Sequence, residues 1–543
     1  MKNSIVEKIR NNILGGDIQK LMYDPNDTRT LFVNDFELLE QTHIKEYLAW
    51  YSSDGDEILN FYTSAVIQDF PSNPIYFRNC KNYFWAKNVT RKEANFKKVH
   101  SGLPKNIITT LVNNVGTFKI NATLETVDVK SALENVLAKN DFASMVSQKQ
   151  LPLTLVCGSG AYKIILDKDY KFPLVEFYTS ENCYPIYKYN QLVGIIFVDM
   201  YKINDVVYYL YDTRFVKNGN SYIHYELYMQ NKMDIKNNEA TRVELGTIKE
   251  LSSLQDLEIT GYNKILGEYC CFFKENSKPK SIFAGVCDRF DELDQTLSIG
   301  GRSIKTSSPI EYYRKEALGR DSKGNPILPS EYDRNYVELN GAPNGDGTMS
   351  GQSVFSTQPV MNVQMYQDYM TFLTNLTLLG ILSPATIGID VSRKDNAQAQ
   401  REKEKMTILM RNNIVEKEKV ILHSLFTKVL DMLSYIVNGF IDNTKDFSKM
   451  FSVSYDDFYA PTFETKLSYL GSAYANNGIS TKLYVNMLWG DKLTEKQKLE
   501  EIDYLENLKQ QDSLEYNNFD SIANIEKNNE ESNTPTKDIR AII

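Results

Sequence analysis

A long helical stretch between Thr357 and Gly439 places the strongest constraint on what this chain can fold into. Its pattern predicts an apolar helix from Thr357 to Gly380, a loop from Ile381 to Asn396, and a second helix that begins at Ala397. At about 1.5 Å per residue, the second helix would extend roughly 60 Å. Helices of ordinary globular domains are much shorter, so we expect this one to act in spacing or assembly.

Length and composition indicate a folded protein of several parts. The chain has 543 residues, of which 42% are hydrophobic, and this is ample for more than one core. It carries 61 basic and 70 acidic residues, a formal net charge of −9. This balance argues against a protein that grips nucleic acid over its whole surface.

Cysteine use and the N-terminal sequence bear on the compartment. The six cysteines are scattered without a Cys-x-x-Cys, and the chain has only four histidines, which predicts buried, reduced thiols and no metal site. The N-terminus shows no apolar segment followed by a small-residue cleavage site, and no run of about 18 apolar residues occurs. We therefore expect a protein made in a cytoplasm and not bound to a membrane.

The first half of the chain alternates between helical and strand patterns. A helical stripe closed by Gly116 is followed by a possible capping box, Ser131-x-x-Glu134. From Pro152 to Met233 the apolar period changes to two, with turn signals at Asn190-Gln191 and Asn218-Gly219-Asn220, which predicts a β-meander. The mixture indicates the α+β class. The helical stripe consists of Ile107, Ile108, Leu111, Val112 and Val115.

A basic and aromatic segment precedes that helical stripe. Two interpretations remain open: a nucleic-acid patch, or an amphipathic connection into a core helix, which the pattern favours. Its residues are Phe84, Trp85, Arg91, Lys92, Lys97 and Lys98.

The helix predicted from Ser281 to Ser298 has two distinct faces. Its apolar face is formed by Ile282, Phe283, Val286, Phe290, Leu293 and Leu297. The opposite face carries Asp288, Asp291, Glu292 and Gln295, typical of a solvated surface. Repeated around a ring, the same stripe would line a hole with negative charge.

The segment from Ile299 to Ser356 is predicted to project from the body between two helices. It contains candidate strands at Pro309–Ala317 and Asn335–Leu339. The returning helix has one apolar side and one polar side and contains no lysine or arginine, so the two helices form a stalk. Its apolar side is Met361, Met365, Tyr369, Phe372, Leu376 and Leu379.

Enzymatic functions find no support in the sequence. The Gly-rich loop NGAPNGDGTMSG lacks the Gly-Lys-[Ser/Thr] of a phosphate-binding loop, which argues against an ATPase of the phosphate-loop type. Acidic pairs such as Asp456-Asp457 show no spacing that indicates a metal-dependent nuclease, and Gly-x-Ser-x-Gly and His-Glu-x-x-His are missing. We expect neither an enzyme nor a bound cofactor.

Four blocks of sequence occur in order between about Tyr76 and Leu508. They are FWAKNVTRKEANFKKVHSGLPKNIITTLVNNVG, FAGVCDRFDELDQTLS, LTLLGILSPATIGIDVSRKDNAQAQREKEK and NNGISTKLYVNMLWGDKLTEKQKLEEI. Taken together, these blocks resemble portal proteins of tailed bacteriophages that infect Gram-positive hosts. None of the blocks is a catalytic signature, so the resemblance depends on the ordered set.

The resemblance implies a ring, typically of twelve subunits, at one capsid vertex. Its subunit would have a helical wing with the β-meander, a two-helix stem, an inserted α/β clip, a long spine helix and a helical crown. The implied parts are an N-terminal arm (1–75), the wing (76–280 and 439–470), stem helices (281–298 and 357–380), the clip (299–356), a tunnel loop (381–396), the spine (397–438), the crown (471–508) and a mobile tail (509–543).

The implied function is a virion channel for packaging and ejecting double-stranded DNA. Implied partners are the terminase large subunit, then the head-tail adaptor, with the major capsid protein and a scaffold around the ring. A capsid or tail binding module without a channel is the alternative. The predicted channel-facing residues are Asp288, Asp291, Glu292, Asp390, Arg393, Lys394 and Asp395, and the predicted docking residues are Arg314, Lys315, Arg320 and Lys323.

Overall fold

The structure is a computed structural model that divides into two compact units, Met1–Tyr455 and Asp456–Ile543. Predictions for residues outside the described ranges, including the mobile tail, are not tested by it. The described residues are 6, 9–10, 33–64, 80–87, 97–122, 126–203, 206–230, 241–307, 310–314, 321–324, 335–339, 354–357, 362–388, 404–441, 445–456, 463–490, 493 and 496–509.

The first unit combines helices and sheets, as the α+β class predicts. Its helices are α1 (Val33–Ser52), α2 (Gly55–Thr63), α3 (Leu103–Val115), α4 (Val127–Lys139), α5 (Phe142–Met145), α6 (Leu151–Cys157), α7 (Cys287–Thr306), α8 (Val363–Leu378) and α9 (Lys405–Asn438). One π-helical turn, Val146–Gln150, joins α5 to α6.

Sixteen strands are described in the same unit. They are β1 (Phe118–Ala122), β2 (Gly160–Ile165), β3 (Leu174–Thr179), β4 (Cys183–Lys188), β5 (Gln191–Ile203), β6 (Val206–Lys217), β7 (Asn220–Gln230), β8 (Thr241–Val243), β9 (Leu257–Ile259), β10 (Gly267–Cys270), β11 (Lys274–Glu275), β12 (Lys278–Pro279), β13 (Ile310–Arg314), β14 (Asn335–Leu339), β15 (Val354–Thr357) and β16 (Phe451–Tyr455).

The predicted β-meander is confirmed for its second half. Strands β4 to β8 form one antiparallel sheet in sequence order, and β9 also pairs with β7. The turn between β6 and β7 falls at Asn218 and Gly219, which both have positive φ, as a two-residue hairpin turn requires. The turn between β4 and β5 lies at Tyr189 and Asn190, one residue earlier than predicted.

Two local predictions in this half are wrong. The strand pattern predicted from Pro152 begins with helix α6, which has its proline in the first turn and ends at Gly158 with φ of 83°. The capping box at Ser131-x-x-Glu134 lies inside α4, which begins four residues earlier at Val127. In both places the helix-end signals were read at the wrong residue.

The core lies where α9 crosses the rest of the first unit. Its buried residues pack with α3, whose predicted apolar stripe is confirmed, since Ile107, Ile108, Leu111 and Val115 are buried and Val112 is half-buried. By length and composition alone α9 is apolar enough to cross a membrane. However, 56% of its most apolar window is buried inside the protein, which is the pattern of a core helix.

The insertion leaves and returns through α7 and α8. It contains a three-stranded sheet in which β13 pairs in parallel with β14 and antiparallel with β15. The two predicted strands are confirmed, and β15 was not predicted. Helix α7 runs from Cys287 to Thr306 instead of from Ser281 to Ser298, because turns occupy residues 282–286. Helix α8 begins at Val363 instead of Thr357, which is the last residue of β15.

The second unit is helical in its described part. It contains α10 (Phe463–Ala475), α11 (Thr481–Trp489) and a helix over residues 496–509. Ser480 caps α11 by accepting a hydrogen bond from the Leu483 amide. Tyr474 and Tyr484 stack between α10 and α11 with ring centroids 4.6 Å apart.

Candidate functional site

The acidic helix α7 is the centre of the candidate site. Asp288 is exposed and Glu292 is half-buried, as predicted for the solvated face. Asp291 is only 5% exposed, and its carboxylate accepts hydrogen bonds from the amides of Phe84 and Trp85 at 2.7 and 3.1 Å. The prediction that Asp291 belongs to the exposed face is therefore wrong.

The physical reason is the width of the packed face. Asp291 lies on the acidic side of α7, three residues before Asp294, and the segment around Trp85 covers both carboxylates by donating hydrogen bonds to them. Burial raises the pKa of Asp291 to about 6, although the two amide hydrogen bonds lower it and the nearby Asp294 and Glu292 raise it further. Asp291 thus anchors a neighbouring segment and does not present charge to solvent.

A second buried carboxylate, Asp294, was missed by the sequence analysis. It has no solvent exposure and accepts from Trp85 Nε1 at 3.0 Å and from the Ser101 amide at 2.9 Å, with His100 Nδ1 2.7 Å from its Oδ2. Asp294 follows Phe290 by four residues, on the same helix face. A carboxylate at a core position must be satisfied by donors, and this signal was available in the sequence.

The basic and aromatic segment is part of the same arrangement. Phe84 and Trp85 are 5% and 4% exposed, and Lys98 Nζ donates to the carbonyl oxygens of Phe84, Trp85 and Lys87. The ammonium also lies 4.8 Å from the Phe84 ring centroid, and burial lowers its pKa. These contacts support the interpretation as a connection into the core. Lys97 is exposed, and Arg91 and Lys92 lie outside the described residues.

The exposed face of α7 borders a cleft of about 450 Å³ next to α8. Arg289 closes one side by donating from Nη1 to the Leu376 carbonyl at 2.8 Å, and the Tyr369 hydroxyl donates to Glu292 Oε1 at 3.2 Å. Within the described ranges no cluster of histidine, cysteine, aspartate or glutamate is arranged to hold a metal. The cleft lining is Asn82, Tyr83, Asp288, Arg289, Asp291, Glu292, Gln295 and Leu373.

Helix α8 packs through a different face from the one predicted. The residues turned toward α7 and the core are Tyr366, Met370, Leu373 and Thr377, which are half-buried or buried. They follow i, i+4, i+7 and i+11 spacing, so the helix carries two apolar stripes. The predicted stripe is the exposed one. Its described members with large exposure are Met365 at 56%, Tyr369 at 40%, Phe372 at 58% and Leu379 at 73%.

The remaining predicted site residues are placed only in part. Lys323 is exposed in a turn where its amide donates to Asp321 Oδ1, and Arg314 ends strand β13. Six of the predicted site residues lie outside the described residues: Lys315, Arg320, Asp390, Arg393, Lys394 and Asp395.

The thiols agree with the sequence prediction. None of the six cysteines, all of which are described, forms a disulfide; five of them are buried and Cys271 is half-buried. Burial raises the pKa of the Cys157 thiol to about 12, and the pKa of Cys270 is also raised by burial.

Comparisons with known proteins return structures alone. No protein-family model matches the chain, and no curated protein matches it. A chain from the virion of a native gene transfer agent particle aligns with 9% identity and a TM-score of 0.33, over 69% of this chain and 86% of that one.

Two neck chains from gene transfer agent particles align with similar identity and TM-score. One comes from the neck of an empty particle computed with C6 symmetry, with 10% identity and a TM-score of 0.34 over 70% of this chain and 88% of that one. The other comes from the neck of a native particle computed with C12 symmetry, with 10% identity and a TM-score of 0.32 over 74% and 89%. Similarities at this level do not establish a shared fold or function.

Proposed function

We propose that this chain is a portal subunit that assembles into a closed ring at one capsid vertex. Double-stranded DNA would pass through the ring during packaging and ejection. The terminase large subunit and then the head-tail adaptor would dock on the insertion between α7 and α8, with Arg314, Lys315, Arg320 and Lys323 as docking residues. The proposal extends the resemblance seen in the four sequence blocks to the geometry of the described residues.

The observation that carries the proposal is the pair formed by α7 and α8. The two helices bracket a small sheet and pack along one side, with Ser303 Oγ 3.4 Å from the Tyr366 hydroxyl. Their other sides differ: α8 exposes an apolar row, and α7 exposes Asp288 and part of Glu292. A pair of this kind suits an assembly in which one side meets a neighbouring subunit and the other meets an anionic cargo.

The apolar row argues for self-assembly. Met365, Phe372 and Leu379 each expose more than half of their surface, and Ile304 on α7 exposes 55% of its surface. Contiguous apolar surface on a soluble protein commonly marks an interface. Closed rings reuse one such interface at every subunit, so a single row on each copy is sufficient.

The acidic face suits a channel that conducts DNA without holding it. A basic wall would neutralise phosphates and bind DNA with a steep salt dependence, whereas carboxylates keep the duplex mobile. Asp288 and Glu292 are the residues proposed to line the wall, and Asp291 is excluded because it is buried within the subunit. Asp288 also lies in the first turn of α7, where its negative charge interacts favourably with the helix dipole and stabilises the helix.

A matched pair of variants tests the assembly. Phe372→Asp places a charge in the exposed apolar row, and Gln367→Asp places the same charge on the polar side of α8, where Gln367 is exposed. We expect the wild type and Gln367→Asp to sediment as one large species and appear as rings in electron micrographs. Phe372→Asp should sediment as subunits while keeping the wild-type circular dichroism spectrum.

The outcomes separate the candidate functions. A wild-type protein that remains monomeric at high concentration would reject the ring. A ring without an axial opening would favour the capsid or tail module without a channel. Rings formed equally well by Phe372→Asp would show that the apolar row of α8 is not the interface.

A further inference from the structure

A buried carboxyl in the middle of α9 has no counterion among the residues that the structure describes. Glu418 has no solvent exposure, and its Oε2 accepts a hydrogen bond from Gln150 Nε2 at 3.0 Å. Gln150 is also fully buried and ends the π-helical turn that joins α5 to α6. A π-turn inserts a residue into a helix and often marks a functional position, and this one brings Gln150 to the long helix.

The titratable groups around Glu418 come from three strands and from α9 itself. The charge of Glu418 contributes to raising the pKa of three neighbouring groups, none of which is a cation: Tyr162 on β2, Cys270 on β10 and Tyr455 on β16. Arg411, two turns earlier on α9, donates to the carbonyl oxygens of Asn114 and Val115. Lys428, nearly three turns later, pairs with Glu268. In the described part of the chain, no lysine or arginine forms an ion pair with Glu418.

Two oxygen atoms of the pair are buried and have no hydrogen-bond partner in the described part of the chain. These are Glu418 Oε1 and Gln150 Oε1, the second oxygen of the carboxyl and the carbonyl oxygen of the amide. If the carboxyl is ionised, both atoms are acceptors and neither can satisfy the other. A buried acceptor without a donor is costly, and an unpaired buried carboxylate costs far more.

One proton on Glu418 Oε1 would supply the donor that both atoms lack. The protonated carboxyl would donate its O–H to Gln150 Oε1 while its other oxygen accepts from Gln150 Nε2, which would close a ring of two hydrogen bonds. We propose that Glu418 and Gln150 form this cyclic acid–amide pair and that it is a proton-dependent latch between the middle of α9 and the π-turn. The latch is independent of the ring assembly proposed above.

The direction of the pH effect follows from burial. Burial raises the pKa of Glu418 to about 8, from an ordinary value of 4.5, although the hydrogen bond from Gln150 opposes the shift. The folded protein therefore keeps its proton in a range where the unfolded chain has lost it. The stability contributed by the latch is fully present below about pH 4.5 and is lost progressively as the pH rises to about 8.

The variant Glu418→Gln tests the latch because two amides can form the same two hydrogen bonds without a titrating group. The measurement is the thermal midpoint of the full chain between pH 6 and pH 9. We expect the wild-type midpoint to fall by about 2 to 3 °C more than that of Glu418→Gln across this range. The exposed carboxyl control, Asp288→Asn, should follow the wild-type profile. Parallel profiles for the wild type and Glu418→Gln would overturn the proposal.

Infrared spectroscopy provides a second readout on the unmodified protein. At pH 7 the wild type should show the carbonyl stretch of a protonated carboxyl that shifts with ¹³C-labelled glutamate and disappears above about pH 9. The absence of a band that responds to labelled glutamate would also overturn the proposal. This measurement remains decisive even if Glu418→Gln fails to fold.

Discussion

Replacing Asp294 by alanine is the most direct perturbation of the contacts that position α7. The carboxylate is fully buried and is hydrogen-bonded to Trp85 Nε1, the Ser101 amide and His100 Nδ1. Alanine therefore leaves these three groups without their acceptor. Each orphaned donor costs about 1 to 3 kcal/mol, and removing one partner of a buried charged network typically costs about 3 to 5 kcal/mol in total. We expect a loss within this range because the three contacts share one side chain and do not add independently.

Hydrogen exchange measures this loss where it occurs. The Ser101 amide donates to Asp294, and the Val99 amide donates to Ser298 one turn later on α7. A loss of about 3 kcal/mol corresponds to roughly 150-fold faster exchange, since about 1.4 kcal/mol is a factor of ten. We expect this acceleration at both amides in Asp294→Ala, with much smaller changes in β5 and β6.

The control for this experiment is Asp288→Ala on the same helix. Asp288 is exposed, so its removal should change local stability by about 0.5 kcal/mol or less. Unchanged exchange at Ser101 and Val99 in Asp294→Ala would refute the reasoning. It would mean that the segment before α3 is held by its aromatic packing and not by the buried carboxylate.

Two further predictions concern the same unit. Lys98→Met keeps the apolar stem but removes the ammonium that donates to the carbonyl oxygens of Phe84, Trp85 and Lys87, so we expect the free energy of unfolding to fall by about 2 kcal/mol. Urea unfolding monitored by tryptophan fluorescence measures this change. Lys97→Met, at an exposed position, should leave the free energy of unfolding unchanged, and equal effects of the two variants would contradict the account. In Gly160→Ala the new methyl group would lie 2.3 Å from the Phe177 ring and 2.8 Å from the Tyr178 carbonyl oxygen. The thermal midpoint should therefore fall by an amount equivalent to about 2 kcal/mol. Gly301→Ala, in the open face of α7, should raise the thermal midpoint slightly.

The sequence was sufficient where one periodicity dominates a segment. The stripe of α3, with Pro104 in its first turn and Gly116 at its end, was predicted because every local signal agrees. The hairpin between β6 and β7 was predicted because Asn218 and Gly219 suit a turn with positive φ. In these segments local preference and tertiary packing lead to the same structure.

Prediction failed where two faces of one helix compete. On α8 both stripes are apolar, and the sequence does not state which one α7 covers, so the stripe containing Phe372 was assigned to the packed side although it is 58% exposed. On α7 the sequence places Asp291 on the acidic face, and its burial depends on Phe84 and Trp85, more than 200 residues away in the chain. Local periodicity carries no information about such partners.

The buried polar groups were not predicted because their partners come from remote elements. Glu418 lies among the charged residues of a long helix and shows no sign in the sequence that it meets Gln150. The second half of the predicted tunnel loop, residues 389–396, and two of the four predicted docking cations, Lys315 and Arg320, lie outside the described residues. Their roles stay predictions that the assembled particle has to test.

A side-chain-resolution electron microscopy map of the purified assembly tests the central claim most directly. The account predicts a closed ring with an axial opening wide enough for duplex DNA, with Asp288 and Glu292 of every subunit on its wall. It also predicts that the row containing Phe372 is covered by a neighbouring subunit. A particle without an axial opening, or one in which Asp288 and Glu292 are buried between subunits, would contradict the proposed function.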